Sequence, residues 1–263
     1  MYNPDIRSVD VVRYVTPLRE GGSLPAIVEA DDGFLYVLKF RGAGQGKKAL
    51  IAELVGGELA RTLGLKVPEL VFMHLDDSFS KTEPDEEIQD LLRFSVGLNL
   101  GLHYLSGAIT YDPYASVADP LTASKVVLLD SLISNVDRTY RNPNLLNWHR
   151  ELWLIDHGAS LYFHHAWDSW QEHAHRTFPR VKDHVLLSKA TQLVPARDQI
   201  KALISPEVLS AIVSLLPDDW LTDEGDELTP AEKKTAYVAL LQTKLSMIDV
   251  LANEADDARK VHV

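Results

Sequence analysis

The chain has 263 residues, 46% of them apolar and 24% charged, with a formal net charge of -12 and no cysteine. That composition fits a soluble globular chain of one large domain or two lobes, and it excludes disulfides, thiolate metal sites and cysteine nucleophiles. The acidic balance argues against broad nucleic-acid or anionic-membrane binding. No apolar run is long enough to span a membrane, and "MYNPDIRSVDVVRYV" lacks the basic-then-apolar form of a signal peptide. The expectation is therefore a cytoplasmic protein with no direct nucleic-acid or membrane partner.

In chain order, "VDVVRYV" reads as a strand. After the flexible Gly21-Gly22-Ser23 come two more, Leu24 to Glu29 and Phe34 to Phe40, joined by a turn at Asp31, Asp32 and Gly33. A glycine-rich connection, "RGAGQGKK", leads to a helix over Ala49 to Leu63, with Leu50, Leu54, Gly57, Leu59 and Leu63 sharing much of one face. Gly64 and Pro68 end it. "PELVFMHLDD" reads as a strand and "SKTEPDEEIQD" as an acidic surface loop or insertion. "LRFSVGLNLGLHYL" reads as a strand entering a connector. "DPLTASKVVLLDSLISN" reads as a helix with Asp119 near its start. "LLNWH" and "LWLID" form a pair of short strands joined by Arg150-Glu151. The last hundred or so residues are mainly helical, punctuated by proline. They close on one long helix, "TPAEKKTAYVALLQTKLSMIDVLANEA", and "DDWLTDEGDELT" reads as a solvated acidic loop.

The chemistry concentrates in "NVDRTYRNPNLL" and, beyond the strand pair, "LWLIDHGASL". Mg²⁺ takes hard oxygen ligands, and phosphoryl transfer needs a group that orients or deprotonates the attacking hydroxyl. Asp137 supplies a base or orienter, Asn142 an amide oxygen and Asp156 a metal carboxylate. The strand pair brings Asn142 and Asp156 back to one edge. Taken singly, Asp137 and Asn142 also suit caps and turns, and Asp156 suits a turn before Gly158. Lys39 is a lone lysine in an apolar strand, so it either faces solvent or has a partner.

"NVDRTYRN" followed by "LIDHG" resembles the catalytic and metal-binding loops of HipA-type kinases, a layout also found in phosphatidylinositol kinases. The resemblance implies Asp137 as the catalytic residue and Asn142 and Asp156 as magnesium ligands. "YVLKF" resembles the third strand of a kinase N-lobe, which makes Lys39 the phosphate-contacting lysine. "KKALIAELVGGELARTLGLKVPEL" resembles the helix that carries its glutamate partner, Glu53 first and Glu58 second. Gly21, Gly22 and Ser23 fall where the phosphate-covering loop belongs, and a Ser23 phosphate there would repel the nucleotide.

The implied fold is α+β and two-lobed, protein kinase-like. A small antiparallel-sheet N-lobe covers residues 1–95 and a mainly helical C-lobe residues 96–263, with ATP between them. The implied function is ATP- and Mg-dependent phosphoryl transfer to a protein serine or threonine hydroxyl, the kinase's own included. A small-molecule phosphotransferase and a non-catalytic nucleotide-binding pseudokinase are the alternatives.

The chain departs from the family pattern at Thr139, where a histidine is common, and at His157, where kinases carry phenylalanine. Arg138 is expected to anchor the catalytic loop on a carboxylate. His164, His165, His173 and His175 are expected at the surface or along a groove, with adjacent histidines on opposite strand faces. Trp167 and Trp170 pack a core or line a groove.

Overall fold

Val9 and Val11 point inward from the first strand while their neighbours face out, and this period of two organises the N-terminal part of the molecule. The computed structural model describes residues 5–18, 24–223, 225 and 227–261. Within these, β1 (Ser8–Pro17), β2 (Ala26–Ala30), β3 (Leu35–Lys39), β4 (Leu70–Leu75) and β5 (Gly97–His103) close into a barrel in the order β1-β2-β3-β5-β4. β1 runs parallel to β4, and the other neighbouring pairs are antiparallel.

The expected small antiparallel sheet closes into a barrel with one parallel pair, and the reason lies in β1. Its start, Ser8 to Asp10, pairs with Phe72 to His74, while Val11 to Pro17 pairs with β2 through two register shifts. Such irregularities bend a strand, which lets one strand serve two edges. β5, lying just past the expected division at residue 95, completes the ring between β3 and β4.

Ala26, Val28, Tyr36, Leu38, Val71 and Met73 fill the barrel core. Ile88 and Leu92 join that cluster from α3 (Glu86–Phe94). The stretch expected as an acidic loop therefore forms α2 (Ser78–Thr82) and α3. Asp85 caps α3 by accepting from the backbone N–H of Glu87 at 3.1 Å and of Ile88 at 3.5 Å. The Ile88 and Leu92 spacing buries one face.

α1 (Lys47–Thr62) follows β3 and is buried from Leu50 to Ala60, packed against β5 and two helices of the second half. One of these is α4 (Pro120–Ile133), capped by Asp119 and buried along most of its length. The hairpin of β7 (Leu145–Trp148) and β8 (Glu151–Leu154) follows, with β6 (Ile109–Thr110) on the outer edge of β7. α5 (Trp170–Ala174), α6 (Leu193–Leu203), α7 (Pro206–Ser214), α8 (Pro230–Ser246) and α9 (Ile248–Val261) complete the chain. The expected single closing helix is two, meeting at Met247, after which Ile248, Leu251 and Ala255 turn into the core.

The stretch read as a solvated acidic loop also packs inward. Trp220 is buried against Phe72 and donates its indole N–H to the Leu98 carbonyl at 3.0 Å. Among the described residues, no helix is long and apolar enough to cross a membrane.

Candidate active site

Lys39 ends β3 on the face opposite Leu38, so its ammonium leaves the barrel interior and points toward α1. There its Nζ donates to Glu53 Oε2 at 2.6 Å and to Asp156 Oδ1 at 2.6 Å. Glu53 is fully buried on α1 and also accepts from the His157 backbone N–H at 2.9 Å. Burial alone would lower the Lys39 pKa, but the charges of Asp156 and Glu53 outweigh it and hold the ammonium above its ordinary value. Burial would likewise raise Glu53, yet Lys39 and the His157 hydrogen bond keep its carboxyl below the usual range. Glu58, the second candidate partner, bonds Arg61 at 3.1 Å.

Two glycines in the interior of α1 have a packing reason. A Cβ on Gly56 would lie 2.7 Å from His157 Cβ, and one on Gly57 would lie 2.9 Å from Leu70 Cδ1. Each glycine costs about 1 kcal/mol relative to alanine in a helix, and each lets a neighbouring segment approach.

The second cluster follows α4, which ends at Ser134 in the left-handed region (φ 55°). Asp137 Oδ2 accepts from Asn142 Nδ2 at 2.8 Å and from Asn144 Nδ2 at 3.2 Å. The hairpin expected from the sequence is present. Its tip, His149 and Arg150, has φ 50° and 66°, the mirror-image turn whose twist matches the flanking strands. At its base, Ile155 N–H donates to the Asn144 carbonyl at 3.1 Å.

Arg138 joins the two loops. Its side chain is buried, and its Nε donates to Asp130 Oδ2 at 2.6 Å. Its Nη1 donates to the Asn144 carbonyl and to the Ile155 carbonyl, the latter at 3.2 Å. One guanidinium therefore holds both ends of the hairpin, one residue before Asp156. Asp130 also accepts from Asn135 Nδ2 at 3.0 Å and from His184 Nε2 at 2.9 Å. His184 Nδ1 receives the Leu186 N–H at 3.0 Å, so Nε2 carries the proton given to Asp130. Burial would raise the Asp130 carboxyl, but Arg138 and His184 hold it below its ordinary value.

The structure thus brings Lys39, Glu53 and Asp156 into one cluster and Asp137 and Asn142 into a second, bridged by Arg138. Gly21, Gly22 and Ser23 lie outside the described residues. Asn142 is exposed and the Asp156 side chain keeps 44% exposure. Their Oδ1 and Oδ2 atoms respectively accept no hydrogen bond among the described residues. A carboxylate and an amide with free hard oxygens fit a hard cation such as Mg²⁺.

Of the four clustered histidines, His165 and His175 are exposed as expected, and His164 is a correction. Tyr162 to His165 forms a 3-10 turn rather than a strand, and His164 is buried with Nδ1 2.8 Å from the Tyr237 hydroxyl. Burial, helped by His165 and Lys48, pushes His164 well below its ordinary pKa. Trp167 and Trp170 pack against the core. Among the described residues no three His, Cys, Asp or Glu side chains gather as a metal site. Sequence reasoning gave no role to Asp130, His184 or Asn144. The polar break at Asp130 in an apolar helix and the Asn142-Pro143-Asn144 pattern mark two of them.

A family model described as HipA-like kinase matches residues 11–248. The chain is similar to the crystal structure of a Helicobacter pylori proinflammatory kinase, CtkA, at 14% identity and a TM-score of 0.58, covering 94% of this chain and 98% of that one. It is also similar to the Golgi casein kinase solved with Mn and ADP, at 12% identity and a TM-score of 0.51, covering 99% of this chain and 75% of that one. No curated protein matches.

Proposed function

This chain belongs to the HipA-like kinase family, and on that premise we propose that it moves the γ-phosphoryl group of ATP, with Mg²⁺, to a serine or threonine hydroxyl of a protein, its own chain included. The observation that carries this reading is the Lys39 ammonium held between Glu53 and Asp156, beside the loop of Asp137 and Asn142. The barrel, which ends with β5 at His103, and the mainly helical remainder then act as two lobes, with the nucleotide between them.

In this reading Lys39, fixed by Glu53, contacts the α- and β-phosphates. Asn142 and Asp156 are the residues that hold the metal ion, which when bound offsets phosphate charge. Asp137 accepts a hydrogen bond from the acceptor hydroxyl and takes its proton as the phosphoryl group leaves ATP. Asn142 and Asn144 aim the Asp137 carboxylate. Catalysis rests on positioning and charge placement rather than on a covalent intermediate. The Mn and ADP of the Golgi casein kinase support nucleotide and divalent-metal use.

The test is incubation with γ-labelled ATP and Mg²⁺ beside Asp156→Ala. Label on the native chain that is absent from the variant is the expected result. A native chain that takes no label and binds no Mg-ATP in a calorimeter sinks the reading.

A further inference from the structure

His157 stands where the resemblance leads one to expect phenylalanine, and it is fully buried. Its ring lies over Gly56 on α1, one helical turn from Glu53 and on the same face. Four residues before Glu53, Ala49 Cβ lies 3.6 Å from the place a Cβ on Gly158 would occupy. The stripe Ala49, Glu53, Gly56 thus receives the loop Asp156, His157, Gly158. Glu53 is gripped at both oxygens. Oε2 takes Lys39 Nζ at 2.6 Å and the His157 backbone N–H at 2.9 Å, while Oε1 lies 3.3 Å from His157 Nδ1. A carboxylate only accepts, so Nδ1 supplies the proton of that contact.

We propose that His157 is a positioning residue: its ring nitrogen fixes Glu53 from the loop side, so that Lys39 and Asp156 are held in register and α1 moves with the metal-side loop as one unit. This rests on the kinase reading above. A phenylalanine at the same place fills the Gly56 notch but gives Glu53 no second donor. α1 in this chain is set by a hydrogen bond as well as by packing.

His157→Phe keeps a ring in the notch and removes the donor. His157→Asn returns an N–H near the Nδ1 position. The first measurement needs no ligand: melting of the native protein, His157→Phe, Glu53→Gln and the double variant. The expected result is strong non-additivity, the double variant being little worse than the worse single one, because both changes remove one contact. Additive effects overturn the proposal.

The second measurement is Mg-ATP affinity together with kcat and KM for phosphoryl transfer. His157→Phe is expected to lower kcat/KM by about tenfold to a hundredfold while it stays folded at the assay temperature, and His157→Asn to recover most of it. Native kcat/KM in a folded His157→Phe, or an Asn variant no better than Phe, overturns the role. Failure of the kinase reading has a different signature. The native chain then neither binds Mg-ATP nor transfers, which removes the positioning role with it, while the ligand-free cycle still reports the contact.

Discussion

Lys39 meets Glu53 across 14 residues of chain and Asp156 across 117, whereas Asp137 and Asn142 are five residues apart. The first cluster is built by tertiary structure from a strand, a helix and a loop, and opposite charges hold it. The second is local, a half-buried carboxylate aimed by two amides, with its ionic support one layer beneath in Asp130, Arg138 and His184. The barrel-side cluster thus keeps its charges paired with one another. The Asp137 carboxylate is held in neutral contacts with two amides.

Three perturbations bear on this contrast. The largest effect is expected from Arg138→Met, which leaves the buried Asp130 without its main partner. Breaking such a pair costs about 3–5 kcal/mol, read as a fall in the denaturant midpoint. If stability holds, Arg138 is not the tie between the loops. Next comes Lys39→Met, which removes the donor shared by Glu53 and Asp156 and is expected to reduce phosphoryl transfer about 10²–10³-fold in a single-turnover assay. A variant with native turnover would show that the barrel-side cluster takes no part.

The smallest effect is in acid. Glu53 and Asp130 are held below their ordinary values of 4.5 and 3.8, so the folded state binds fewer protons than the unfolded one. Their contribution is complete above those ordinary values and is lost as pH falls below them toward the depressed ones. Stability measured from about pH 5 to about pH 3 is expected to fall, with a shallower slope in Asp130→Asn. An unchanged slope would mean that Asp130 takes up its proton over the same pH range folded and unfolded, so that Arg138 and His184 do not depress it.

Much of the layout could be read from the sequence because it rests on local patterns. Alternation in β2 and β3, the period of α1, and the Asp119 and Pro120 start of α4 are all short-range. Asp137, Asn142 and Asp156 stand out by order and spacing. What was hidden depends on long-range geometry. Nothing in β1 announces that it pairs with β4 as well as β2. The acidic surface of α3 masks the Ile88 and Leu92 face that enters the barrel. His184 lies 54 residues from the Asp130 it supports, and no local rule links them. His157 was visible only as a departure, since its purpose appears once Glu53 and Gly56 are seen beneath it.

Arg138 also makes the β7 and β8 hairpin a ruler of fixed length at one end only. Its base is pinned at Asn144 and Ile155, while the tip, His149 and Arg150, is exposed. Extra residues inserted between those two extend outward and leave the spacing of Asn142 and Asp156 untouched. The same number inserted below Leu145 pulls the two loops apart. The tip is thus a permissive point for attaching a reporter or a tether to this protein, and the base is not.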